Sequence, residues 1–209
     1  QKVIALLDQH INDAKESGSV NTIYLNEEKK VVGENTDVYG LQAAYFKKII
    51  DNNALKKKAL IIGAGGVSPS VIVALTKSNI SDITLINRTY DKCLFLKNKF
   101  KDLKILKWEA LNESIKNFDI VINATSLGLK NGNDFEILFK DYKKSLIYID
   151  TVYNPIQTKM IKHLQSLDVK TFNGLEMFIY QGQKSFYLWN KINPEIDQEL
   201  INLLVTKLK

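Results

Sequence analysis

The run Ala59-Leu60-Ile61-Ile62-Gly63-Ala64-Gly65-Gly66-Val67-Ser68 constrains the fold more than any other part of the chain. Four apolar residues in a row read as a strand buried on both faces. A glycine-rich turn follows at once and opens an apolar-periodic segment, which is the start of a strand-helix-strand unit. The same alternation continues downstream. It predicts strands at 59–62, 82–87, 119–123 and 146–150, weaker ones at 104–107 and 169–172, and helices at 66–77, 90–99 and 158–166. Strands that alternate with helices pair in parallel, because each needs a crossover to return to the same edge. The expected fold class is α/β, with a Rossmann-like parallel sheet at its centre.

The turn carries chemistry as well as topology. Gly63 permits the tight bend, Gly65 lets the backbone approach a pyrophosphate, and Ala64, Gly66 and Val67 present amides at the positive end of the next helix. Ser68 stands where the usual fingerprint has its third glycine, and Pro69 suits the first helical turn, which has no use for its N–H. A dinucleotide is the implied cofactor, with an ordinary tight turn as the bland alternative.

The end of the second strand selects which dinucleotide. NAD-binding units commonly place a carboxylate there for the ribose 2′-hydroxyl. This chain instead has Asn87-Arg88-Thr89, an amide, a guanidinium and a hydroxyl suited to a 2′-phosphate. Arg88 is the one arginine among 29 basic residues. Lysine supplies positive charge everywhere else, so a guanidinium at this position points to its planar fork, and NADP is favoured over NAD.

The flanks read differently. Positions Val3, Leu6, Leu7, Ile11 and Ala14 have helical spacing and predict one amphipathic helix over 3–17. Segments 20–25 and 30–32 suggest a short hairpin, and a second amphipathic helix is expected over 38–50, broken at 51–53. Two further helices are predicted at 175–189 and 194–208. We expect residues 1–37 to belong to a substrate-binding lobe, 38–174 to form the NADP-binding domain, and 175–209 to return toward the first lobe.

The net charge of +6 does not argue for nucleic acid, since lysines are spread along the chain and 56–58 is the one run of three. Cys93 has no partner cysteine and is expected to pack in the core. With only His10 and His163 besides, no metal site is expected. No apolar run approaches the roughly 18 residues of a membrane span. A cytoplasmic protein, monomeric or homodimeric, without membrane or nucleic-acid partners, is the expectation.

Seven motifs in order resemble those of the shikimate dehydrogenases. They are Ser19-Val20-Asn21-Thr22, Gly33-Glu34-Asn35-Thr36-Asp37-Val38-Tyr39-Gly40, Gly63 to Gly66, Asn87-Arg88-Thr89, Asn123-Ala124-Thr125-Ser126-Leu127-Gly128, Asp150-Thr151-Val152-Tyr153-Asn154-Pro155-Ile156-Gln157-Thr158, and Asn173-Gly174-Leu175-Glu176-Met177 with Gln181. The resemblance implies NADP-dependent, reversible reduction of 3-dehydroshikimate to shikimate. It implies Asp37 as the catalytic partner of a lysine, with Asn21, Tyr153 and Gln181 as further substrate contacts. Thr125, Ser126, Leu127, Gly174 and Met177 would join the glycine turn and Asn87-Arg88-Thr89 around the cofactor. In the family that lysine lies in an Asn-Val-Thr-x-Pro-x-Lys motif, which counting back from Asn21 would place just before Gln1. Lys2 is out of register by two, so the 209-residue polypeptide alone is expected to be inactive. The alternatives are a quinate/shikimate dehydrogenase relative or a non-catalytic NADP-binding module.

Overall fold

A computed structural model describes residues 2–49, 56–130, 137 and 139–208. The chain opens with a 3-10 turn, Lys2–Leu6, followed by β1 (Gln9–His10), α1 (Asn12–Ser17), β2 (Thr22–Leu25) and β3 (Val31–Glu34). These strands form a small sheet in the order β1-β3-β2, with β1 parallel and β2 antiparallel to β3. The single helix expected over 3–17 is not formed. Asp8 and Ile11 donate their amides to Val31 O and Gly33 O, the Asp8 carboxylate accepts from Val31 N, and Asn12 turns with φ 46°. Pairing with β3 therefore takes backbone groups that a helix would have used, an override of periodicity by tertiary contact.

The expected hairpin is β2–β3. After it, α2 (Thr36–Leu41) runs into a π-turn (Gln42–Phe46) and α3 (Lys47–Ile49). The break predicted at 51–53 lies outside the described residues. The large sheet then follows: β4 (Lys58–Ile62), α4 (Ser68–Lys77), β5 (Asp82–Ile86), α5 (Tyr90–Lys99) and β6 (Lys104–Leu106). A short helical passage, Trp108–Ala110, α6 (Leu111–Ser114) and Ile115–Asn117, leads to β7 (Ile120–Asn123). Next come β8 (Ile147–Asp150), α7 (Lys159–Ser166), β9 (Lys170–Phe172), α8 (Leu175–Asn190) and α9 (Gln198–Lys207).

The six strands lie in the order β6-β5-β4-β7-β8-β9 and every pairing is parallel. The chain winds outward from β4 to β6, then crosses back and winds the other way from β7 to β9. This doubly wound, Rossmann-like arrangement has its switch point between β4 and β7, where open α/β sheets bind ligands at the carboxyl ends of their strands. Alternate side chains of β4 serve the two faces. Ala59 and Ile61 join a core with α4, α5 and the helix through the π-turn, while Leu60 and Ile62 join another with Leu111, Ile115, Ile161 and Leu164. Burying each such Leu or Ile side chain contributes about 1.5–3 kcal/mol. Cys93 is fully buried in the first of these cores.

Candidate functional site

A cleft of about 550 Å³ lies across the carboxyl ends of the large sheet. From one end to the other its lining comes from beyond β6 (Trp108), β5 (Asn87, Arg88) and α5 (Lys92), then β4 (Gly63 to Val67), β7 (Ala124 to Leu127) and β8 (Thr151 to Tyr153). Five adjacent strand ends span about 19 Å at roughly 4.8 Å per spacing.

The glycine turn forms the floor. Gly63 has φ +110°, and a Cβ there would sit 2.5 Å from Thr125 Cγ2 and 2.8 Å from Ala124 O, so the position is closed to other residues on two counts. Gly65 and Gly66 differ. A Cβ on Gly66 would meet nothing within 4 Å, and one on Gly65 only Ala124 O at 3.8 Å. Their missing side chains leave space open above the turn, as a cradle for a close-lying phosphate backbone requires. The amides of Gly66 and Val67 take no partner among the described residues. Ser68 has a structural reason to replace the third glycine: its buried hydroxyl donates to Gly63 O at 2.8 Å and accepts from Gly65 N at 3.0 Å.

Asn87 braces the same turn, accepting from Ala64 N at 3.2 Å and donating to Thr89 O at 2.9 Å. Arg88 is left on the wall with Lys92, one helical turn further along. Thr89 precedes α5 in extended backbone, makes no side-chain capping bond and does not line the cleft. On the other side of the switch point, Asn123 donates to Leu127 O and to Asp150 Oδ1, and accepts from Thr125 N. Asp150 also accepts from Val152 N at 3.0 Å and Thr158 Oγ1 at 2.9 Å. Burial pushes its carboxyl pKa up to about 6 against these hydrogen bonds. One buried carboxylate thus ties the loops after β7 and β8 together.

Gly174 stands behind this wall. Its amide donates to Val152 O, and a Cβ would fall 2.3 Å from Thr151 O. Met177 is buried in the core rather than on the cleft surface.

Of the remaining predicted residues, Asn21, Asp37 and Gln181 gather at the start of α2, whereas Tyr153 lines the cleft. Asn21 donates to Asp37 Oδ1 at 2.9 Å and accepts from Thr36 N at 2.9 Å. Asn35 caps α2, accepting from Asp37 N and Val38 N. Burial raises the pKa of Asp37, and the bond from Asn21 offsets part of that rise. Gln181 lies on α8 within 3.4 Å of the Thr36 hydroxyl. Tyr153 stacks on Phe178 of α8, with ring centroids 4.6 Å apart. Gly40 allows α2 and α8 to approach, since a Cβ would meet Met177 O at 2.8 Å and Gln181 Cβ at 3.1 Å. The group is anchored to the cofactor side through Asn35, whose Nδ2 donates to Ser70 Oγ of α4 at 2.9 Å.

Sequence reasoning missed several of these residues. Lys92 had a signal, being four residues from Arg88 on a predicted helix. Trp108, Thr151 and Val152 reach the cleft from strand ends that periodicity locates but cannot aim. Ser185, four residues after Gln181, bonds the hydroxyls of Thr22 at 2.7 Å and Thr36 at 3.0 Å across more than 140 residues of chain. No local pattern announces that contact.

Known proteins resemble the chain along nearly its whole length. The family described as Shikimate / quinate 5-dehydrogenase matches residues 45–177. The shikimate dehydrogenase (NADP(+)) of Pelagibacter ubique is 44% identical over 202 residues, covering 97% of this chain and 74% of that protein. A shikimate dehydrogenase solved in complex with NADP+ is 29% identical, with TM-score 0.86 over 100% of this chain and 73% of its own. The Thermus thermophilus shikimate 5-dehydrogenase in complex with NADP(H) and shikimate is 27% identical, with TM-score 0.82 over 100% of this chain and 75% of its own. With the strand order, the open glycine turn and these matches together, the chain belongs to the shikimate/quinate dehydrogenase family.

Proposed function

We propose that the cleft binds NADP(H) and that the cluster around Asp37 binds 3-dehydroshikimate or shikimate, for reversible reduction of the ring ketone. When bound, the cofactor supplies the hydride. The chain's own residues do the rest. The amides of Gly66 and Val67, at the positive end of α4, suit a pyrophosphate, and Arg88 with Lys92 offers two cations to a 2′-phosphate. One observation carries the reading: the open glycine turn shares a cleft with the chain's single arginine, and the Asn35–Ser70 bond fixes Asp37 relative to the same helix α4.

Asp37 and Asn21 present a carboxylate and an amide where substrate hydroxyls can be held. Burial raises the pKa of Asp37, and a neighbouring ammonium would restore the charged form, since attraction between opposite charges is stronger away from water. Such a pair holds a proton for the oxygen that gains charge as the ketone is reduced. The family resemblance assigns this ammonium to a lysine before Gln1. The test is calorimetric titration of this polypeptide with NADPH and NADH, beside Arg88→Leu. NADPH should bind more tightly, and the variant should lose about 10- to 100-fold for NADPH with little change for NADH, the scale of a charge-assisted bidentate contact. Equal affinities in the unaltered chain would overturn the assignment of NADP. Shikimate oxidation that stays absent after an upstream segment is supplied would overturn the substrate, with quinate assayed in parallel.

A further inference from the structure

The cleft wall beyond Arg88 holds a residue that the motifs do not explain. Strands β5 and β6 run parallel, with Thr84, Leu85 and Ile86 opposite Lys104, Ile105 and Leu106. Both strands end there: Arg88 follows two residues after β5, and Trp108 opens the 3-10 passage two residues after β6. Both line the cleft, and Trp108 is held from behind by the core beneath the sheet. β6 is the edge strand, so Trp108 closes the far end of the cleft. The rest of that end is cationic or polar: Arg88, Lys92 and Asn87. An indole and a guanidinium on one cleft wall suit a purine, which can lie flat on the aromatic ring with the planar cation near it. We propose that Trp108 stacks on the adenine ring of the cofactor and fixes the adenosine end of the cleft, an inference that rests on the cleft being the NADP site.

The chain has two tryptophans. Trp189 lies on α8, its indole donating to Ile23 O at 2.9 Å, and it does not line the cleft. Trp189→Phe therefore leaves Trp108 as the sole indole, whose emission is excited selectively over the tyrosines at the red edge of the absorption band. Titrating this variant with NADP+ and with 2′,5′-ADP, while following heat and indole emission together, separates the questions. Both ligands should quench the emission in step with the heat, since both carry adenine, and nicotinamide mononucleotide should not. In the otherwise unaltered chain, Trp108→Ala should raise both dissociation constants by about 10-fold, the scale of one lost base–aromatic stack, and Trp108→Phe should recover most of that loss. Binding heat without a change in emission, or unaltered affinity in Trp108→Ala, would overturn the inference while leaving the cofactor reading intact. Absence of heat with either ligand would remove the cofactor reading, and this inference with it. Should Trp108→Ala unfold early, the emission titration of Trp189→Phe decides by itself.

Discussion

The glycine turn and the Asn21–Asp37 cluster, proposed above as the cofactor and substrate ends of one site, are held by different forces. The turn leaves a strand whose last four residues are buried, between cores on both faces of a six-stranded sheet. Asn21 and Asp37 hang from a three-stranded sheet with strands of two to four residues, whose outer residues Ile23 and Leu25 stay exposed. What fixes Asp37 is a set of polar bonds from distant parts of the chain: Asn35 to Ser70, Thr22 and Thr36 to Ser185, and Thr36 to Gln181. The cofactor end should therefore respond to changes of shape and volume, and the substrate end to the loss of single polar groups or of the α2–α8 spacing.

The largest expected effect breaks the cofactor end outright. Gly63→Val meets both a left-handed backbone and contacts under 3 Å, and should cost about 3 kcal/mol in stability and more than about 100-fold in NADP+ affinity. Calorimetry that finds affinity retained would show that the turn does not set the floor. Gly40→Ala tests the helix spacing at the other end. With its new Cβ 2.8 Å from Met177 O, it should destabilise by about 2 kcal/mol in urea unfolding, while the glycine turn itself stays untouched.

A smaller effect concerns pH. The folded-state pKa of Asp150 is raised to about 6 from 3.8. Between those values the folded chain keeps a proton that the unfolded chain has released, so this group makes stability fall as pH rises through the window. Asp150→Asn removes that dependence. The melting temperature of the variant relative to the unaltered chain should drop as pH is lowered from 7.5 to 4.5. A difference that does not change with pH would mean that the carboxylate stays charged throughout. The smallest effect sharpens the substrate end. Ser185→Ala leaves the hydroxyls of Thr22 and Thr36 to pair with each other at 3.4 Å, and should cost about 1 kcal/mol. NADP+ binding should not change, and a loss there would show that the two ends are coupled more tightly than the Asn35–Ser70 bond implies.

Much of the cofactor end was legible beforehand because its signals are local. A four-residue apolar run, three glycines and a proline specify strand, turn and helix within eleven positions, and strands 59–62, 82–87 and 119–123 fall within a residue of those observed at each end. The segment 3–17 failed for the opposite reason. Its apolar spacing is helical, but β3 offered backbone partners to residues 8–11, and periodicity does not register competition from residues twenty positions away. Met177 illustrates a subtler limit: a helix position is predictable, whereas the face it turns to the core depends on where α2 packs.

The sequence by itself determined the parallel α/β architecture, the glycine turn at its first crossover and the lone guanidinium at the tip of the second strand, because each is written in residues adjacent along the chain. Only the tertiary structure decided that Asn35 reaches Ser70, that Ser185 joins Thr22 and Thr36, and that Trp108 and Arg88 line one cleft. Those pairings arise from strand register and helix approach, which are settled by burying the common core and by satisfying buried polar groups, and no short window of sequence contains both partners.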